Sequence, residues 1–218
     1  MLDFEWKYFW GTIDKSKFFH FAWFKIANKE FSHLSINGVL YESREWKCDG
    51  YSIDTPFLSF LLKSYCPDCI NVLSKTNLHT SNPFLSGFGT INGKQVVIDA
   101  WYDYEKGTKV NIGNWIWTSI KLNNSDTAIF TYKKWNNSGA WVIAKEKSRK
   151  ISYDILKDFS FIPIEKEVVF HPKYGRPYSE QPQIIMKGDN VVGIGMIERT
   201  HGWDFKNIKR LLKHFLRN

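Results

Sequence analysis

The chain's 218 residues predict an all-β, antiparallel fold wrapped around an aromatic interior, with an amphipathic helix near the C-terminal end. Three observations predict it. Before residue 200, apolar residues recur mostly with period two rather than 3.6. Two Asn-Gly pairs, Asn37-Gly38 and Asn92-Gly93, lie between such segments and supply the left-handed residues of a two-residue hairpin turn. From residue 84 onward, strand-like runs recur about every ten residues between turn signals, which is the spacing of a barrel or sandwich.

In 4–12, Trp6, Tyr8 and Trp10 fall on one face of a strand and Glu5, Lys7 and Phe9 on the other. "KFFHFAWFKI" (17–26) is apolar on both faces, as a buried strand requires. Residues 32–36 and 39–46 flank the first Asn-Gly turn as a hairpin. Residues 53–65 predict a short helix, with Asp54 or Thr55 as cap and Pro56 in the first turn, a bent strand being the other option. Residues 66–82 read as loop. The second hairpin joins 84–91 to 95–104, and 105–107 turns the chain. Strands follow at 114–122, 128–134 and 140–146, with turns at 123–125 and 136–139, then strands at 167–171, 182–187 and 191–200. In the tail, Phe205, Ile208, Leu211, Leu212 and Phe215 share one face of an amphipathic helix, with lysines and an arginine opposite. Domain limits of 1–83 and 84–218 are expected, unless the two regions merge into one.

Composition narrows the function. Aromatics make up 17% of the chain, and ten are Trp, which points to an aromatic core or an aromatic cavity for an apolar ligand. Lys+Arg exceeds Asp+Glu by 30 − 22 = 8, but no long basic run accompanies the excess, so nucleic acid is not the favoured partner. Cys66 and Cys69 form a lone CxxC, and Cys48 and His79 do not extend it to a standard zinc spacing. No metal and no cofactor are expected: metal-ligand histidine spacings, a P-loop, a dinucleotide glycine motif and a GxSxG elbow are all missing. "MLDFEWKYFW" has no signal-peptide pattern and no run of about 18 apolar residues occurs, so a cytoplasmic protein without a membrane span is expected.

The densest chemistry lies in 101–105 and 115–117. Trp101, Asp103 and Glu105 share one strand face; Tyr102 and Tyr104 share the other. A hairpin would set the Trp101 group against Trp115 and Trp117. A carboxyl beside indoles loses solvation and holds its proton to higher pH. Such an acid can protonate an alkene or donate to a carbonyl, and indole faces stabilise a resulting cation. The plainer alternative is structural: Asp103 caps a turn or pairs with Lys106 or Lys109, and the tryptophans fill the barrel. Glu5 and Glu198 are charges inside strand patterns and need satisfaction there. His20 lies among aromatics and reads as core or ligand-facing; His201 reads as a turn residue.

Four stretches in order, "EWKYFWGTI" (5–13), "LSGFGTINGKQVVIDAWYDYEKG" (85–107), "GNWIWTSIKLNNSDTAIFTY" (113–132) and "VVGIGMIERTHGW" (191–203), resemble the lipocalin-like AttH/CrtC family. That family includes carotenoid 1,2-hydratases and Diels–Alderase-type natural-product cyclases. Three positions depart from its pattern: Tyr104 stands for a His, Lys106 for a Trp and Ile116 for an Asp. The chain looks abbreviated between the opening and the 85–107 hairpin. The resemblance implies a lipocalin-like barrel, or two merged ones, holding a polyene or polyketide-like molecule. Candidate catalytic residues are Asp103, Tyr104, Glu105, Glu198 and Glu5. Candidate ligand-binding residues are Trp6, Tyr8, Trp101, Trp115, Trp117, Tyr132 and His20. The expected activity is cofactor-independent cyclisation or isomerisation, or hydration. A non-catalytic carrier of the same shape and a basic nucleic-acid-binding barrel are the alternatives.

Overall fold

The computed structural model describes residues 3–26, 29–43, 45–65, 70–73, 76–108, 114–124, 126–134, 137–144, 147–170 and 178–200. The chain forms two compact units, Met1–Val110 and Asn111–Asn218. Each is built on one antiparallel sheet. Residues 83 and 84 are consecutive within a strand of the first unit.

The first unit contains β1 (Phe4–Ile13), β2 (Lys17–Ile26), β3 (Lys29–Ile36), β4 (Val39–Ser43), β5 (Lys47–Asp49), β6 (Ser52–Asp54), β7 (Leu58–Ser64), β8 (Ile70–Leu73), β9 (Asn77–Ile91) and β10 (Lys94–Gly107). Their spatial order is β4-β3-β2-β1-β10-β9-β7-β6-β5, with β8 also paired to β9. Both Asn-Gly hairpins form as expected. Asn37 and Gly38 have φ of 49° and 74°, and Asn92 and Gly93 have 49° and 77°. These left-handed values match the twist of the flanking strands.

Three readings of this region need correction. Residues 53–65 are not helical; they form β6, a turn and β7. The Thr55 hydroxyl accepts from the amides of Phe57 and Leu58 at 3.2 and 2.9 Å and donates to the Leu58 carbonyl at 2.7 Å. The same side chain that suggests a helix cap therefore closes a tight turn. After it, Leu58, Phe60 and Leu62 are buried and Leu61 is exposed, a strand alternation. Residues 105–107 do not turn either, because β1 supplies ladder partners as far as Gly107, opposite Phe4. Within 66–82, expected as loop, Ile70–Leu73 form β8 and β9 begins at Asn77, the two strands pairing with each other.

Apolar residues on one face of this sheet make the core, among them Phe9, Phe21, Leu34, Phe60, Ile98 and Tyr102. Phe9 lies at the centre, 4.7 Å from the Tyr102 ring and 5.4 Å from Phe60. Burial of this kind is the main drive for folding. At Gly11 of β1 a Cβ would strike the Asp99 carbonyl and the Ala100 backbone of β10. Backbone atoms in a ladder cannot yield as a side chain can. Gly11→Ala is expected to lose about 1–3 kcal/mol of stability in urea titration, the usual cost of overpacking. Unchanged stability would mean that the two strands separate without penalty.

The second unit contains β11 (Trp115–Leu122), β12 (Thr127–Lys134), β13 (Asn137–Ala144), β14 (Lys147–Ile151), a short 3-10 helix (Tyr153–Asp158), β15 (Ser160–Pro163), β16 (Val168–Phe170), β17 (Tyr178–Lys187) and β18 (Asn190–Thr200). The order is β14-β13-β12-β11-β18-β17-β15, with β16 also on β17. Residues 137–139, expected in a turn, already belong to β13. β17 starts four residues earlier than the expected 182. Ile120, Ile129 and Ile185 anchor an apolar cluster here. The C-terminal amphipathic segment, Cys66, Cys69 and His201 lie outside the described residues. Among the described residues, no helix is long and apolar enough to cross a membrane.

Candidate functional site

The opposite face of the first unit's sheet carries the polar chemistry. Strand alternation puts Trp6, Tyr8 and Trp10 of β1 on this face, and the register sets them opposite Glu105, Asp103 and Trp101 of β10. On the other side of β1 they meet Phe24, Ala22 and His20 of β2. β9 places Ser81 opposite Asp103 and His79 opposite Glu105. One contiguous patch across four strands thus holds two carboxyl groups, two imidazoles and five large aromatics. Trp10, Trp101, Tyr8, His20 and Asp103 are all buried.

Trp10 and Trp101 stack, with ring centroids 6.0 Å apart and planes 16° off parallel. The Trp101 indole N–H donates to Asp103 Oδ1 at 2.9 Å. Ser81 Oγ donates to the same oxygen in a short hydrogen bond. Asp103 Oδ2 is buried and makes no hydrogen bond within the described structure. Burial pushes the Asp103 carboxyl up to about 7, against the opposing pull of the Ser81 and Trp101 donors; the nearby Glu105 charge adds to the rise. Near neutral pH Asp103 is therefore poised between acid and carboxylate, with its proton placed on the oxygen that has no other partner.

His79 Nε2 lies 2.9 Å from Ser81 Oγ and 3.7 Å from Asp103 Oδ1. Although the second distance is that of an ion pair, burial holds the imidazole down to about 3, so His79 is neutral at pH 7 and no ion pair exists. Because Ser81 gives its proton to Asp103, it accepts from the Nε2–H tautomer of His79. The serine lies between imidazole and carboxyl, an order unlike that of a nucleophilic triad. Its effect is to fix the orientation of the acid. Ser81→Ala removes a donor to the carboxylate form and is expected to raise the Asp103 pKa by about one pH unit. Carbon-detected NMR titration of labelled aspartate reads this directly, and a downward movement would contradict the assigned donor.

The sequence-derived candidates divide. Asp103, Trp101, Glu105, Trp6, Tyr8 and His20 come together on this face. Glu105 accepts from Asn77 Nδ2 at 3.0 Å. Glu5 and Tyr104 are on the opposite face, where burial and a hydrogen bond with Glu5 push the tyrosine hydroxyl pKa up. Glu5 also lies 3.8 Å from Lys7, whose ammonium reaches the Cys48 carbonyl at 3.1 Å. Cys48 is a free thiol, and burial raises it to about 12, which leaves it protonated and unreactive. Asp103 takes its hydrogen bonds from Ser81 and Trp101 rather than from Lys106, which alternation puts on the other face, or from a turn amide; Lys109 lies outside the described residues.

Trp115, Trp117, Tyr132 and Glu198 belong to the second unit. The expected hairpin between the Trp101 and Trp115 segments does not form: β10 pairs with β1 and β9, and β11 with β12 and β18. Trp115 and Trp117 meet edge to face at 5.8 Å, and Tyr132 is 6.4 Å from Trp117. Glu198 lies directly opposite Trp117 on one side and Glu180 on the other. The Tyr178 hydroxyl bridges both glutamates, in a short contact with Glu180 and at 2.8 Å from Glu198. Among the described residues, no group of three His, Cys, Asp or Glu side chains is arranged to hold a metal.

Reading 66–82 as loop concealed His79 and Ser81, and starting β17 at 182 concealed Tyr178 and Glu180. In each case the alternation is present, as His79/Ser81 and Tyr178/Glu180, but polar residues carry it.

No protein-family model matches the chain, and no curated protein matches it. Solved structures do. A candidate AttH protein from Nitrosomonas europaea superposes with a TM-score of 0.62 at 15% identity, covering 92% of this chain and 93% of that one. The chain carries an AttH-like, lipocalin-like fold. CghA with Sch210972 matches at a TM-score of 0.54 and 7% identity, over 93% of this chain and 89% of that one. CghA alone gives 0.53 and 7%, over 93% and 88%. At these identities the agreement is one of fold, and it is the fold that the four sequence stretches imply.

Proposed function

We propose that this AttH-like chain is a cofactor-independent cyclase or isomerase for an apolar polyene or polyketide-like molecule, with Asp103 as its neutral acid. The observation that carries the reading is the Asp103 carboxyl: buried among indoles, held near pH 7, and with Oδ2 making no hydrogen bond in the described structure. In a cyclisation, the Oδ2 proton donates to a carbonyl conjugated with the reacting alkene. Two π bonds are exchanged for two σ bonds and no proton is gained or lost. Proximity in an apolar site supplies much of the acceleration. The likeness to CghA, crystallised with Sch210972, supports a small-molecule ligand.

Hydration is the second reading, favoured by the same carboxyl. The proton moves from Oδ2 to one alkene carbon, water adds to the other, and the surplus proton of that water returns to Asp103. Incubation with synthetic linear trienones, followed by mass spectrometry, separates the outcomes. A new species of unchanged mass supports cyclisation or isomerisation. The gain of one water supports hydration. Trienone that is retained by the protein but unaltered would make the protein a carrier and overturn both. Asp103→Asn is expected to abolish conversion while leaving retention intact.

A further inference from the structure

We propose that the Trp10 indole N–H is a ligand-recognition donor that selects a neutral carbonyl compound over a hydrocarbon of the same shape. The inference rests on the reading that a ligand meets the Asp103 face. Trp10 is 0% exposed, and its Nε1 makes no hydrogen bond within the described structure. Trp101, its stacking partner, is equally buried but uses its N–H on Asp103. Two indoles of the same burial lie on one another, and only one has its donor occupied. A buried N–H separated from water without a partner is costly, and such groups in a folded protein call for a specific explanation. Phenylalanine would stack on Trp101 without that cost. The retained donor has a use if the ligand brings the acceptor.

The surroundings define that acceptor. The patch around Trp10 comprises Trp6, Tyr8, His20, Ala22, Phe24, Trp101, Asp103, Glu105, His79 and Ser81 across four strands. None is Lys or Arg, and burial keeps His20 and His79 neutral at pH 7. A carboxylate ligand would meet Glu105 and Asp103, with no lysine or arginine among these residues to offset them. A neutral ketone or ester oxygen meets only donors at Trp10 N–H and at protonated Asp103. Trp10 thus orients the carbonyl end while the aromatic wall takes the apolar remainder.

The test uses two fluorescent probes of one shape, 6-propionyl-2-(dimethylamino)naphthalene and its 6-propyl analogue, which lacks the oxygen. The full chain should bind the ketone about tenfold more tightly, the worth of one neutral hydrogen bond. Trp10→Phe should erase most of that ratio by weakening the ketone alone, and should shift its emission to the blue. If Trp10→Phe fails to fold, benzothienylalanine at position 10 replaces N–H by sulfur at nearly constant volume and should give the same result. A ratio that either folded variant leaves unchanged, or absence of ketone binding, overturns the proposal. Ketone affinity at pH 5.5 and 8.5 keeps the two readings distinguishable. Dependence on Trp10 without dependence on pH would remove the Asp103 reading and keep this one; dependence on pH without dependence on Trp10 would do the reverse.

Discussion

Asp103→Asn is expected to make the protein more stable at pH 8 and inactive at every pH. The stability gain follows from the raised carboxyl. In the unfolded chain Asp103 ionises near 3.8, and in the fold near 7. Below 3.8 both states are protonated, and the residue contributes nothing to the pH dependence. Between 3.8 and 7 only the unfolded state releases its proton, so stability declines as pH rises through that window. Above 7 the full penalty remains, on the order of 4 kcal/mol at 1.36 kcal/mol per pH unit. Asparagine preserves the shape and the acceptor for Ser81 and Trp101 but cannot ionise. Urea titrations of wild type and variant should therefore agree at pH 4 and separate progressively up to pH 8. Parallel curves would show that Asp103 is solvated and remove the acid from the proposed chemistry.

His20→Phe is expected to protect the protein against acid. Burial lowers both His20 and His79 from 6.5 to about 3. Above pH 6.5 neither state binds the proton, and the stability is intact. As pH falls from 6.5 towards 3, the unfolded chain takes up protons that the fold refuses, and stability is lost. Each histidine costs about 1.4 kcal/mol per pH unit in that window. Removing His20 should thus open a difference between variant and wild type that grows below pH 6.5 and approaches about 3 kcal/mol by pH 4.5. His20 sits opposite Trp10 and 6.1 Å from the His33 ring, so a phenyl ring suits the position. A constant difference across pH would mean that His20 already titrates in the fold.

The two effects oppose one another where their windows overlap, between pH 3.8 and 6.5: rising pH there ionises Asp103 in the unfolded chain and costs stability, while it discharges the unfolded histidines and restores it. Buried titratable groups of this kind cluster at functional sites.

Local chemistry made much of the fold legible. Asn37-Gly38 and Asn92-Gly93 accept positive φ with little strain, so both hairpins follow from two residues each. Period-two alternation then assigns faces, and it correctly puts Trp101, Asp103 and Glu105 together and Tyr104 opposite. The same local signals misled where one side chain has two uses. Thr55 caps helices and closes turns with the same hydroxyl. The polar run that begins β9 reads as loop because a strand is usually recognised by its apolar side chains, and this one buries His79 and Ser81.

What the sequence by itself determined is the class of the fold, the turns and the side of the strand on which each residue sits. These depend on neighbours one to four positions away. Only tertiary structure decided which residues share a site. Tyr8 faces Asp103 from 95 positions upstream (103 − 8), because β1 inserts between β2 and β10. Glu180 faces Glu198 because β17 and β18 form a hairpin in that register. Strand order and register arise from the summed packing of the whole sheet, and no short segment contains that information.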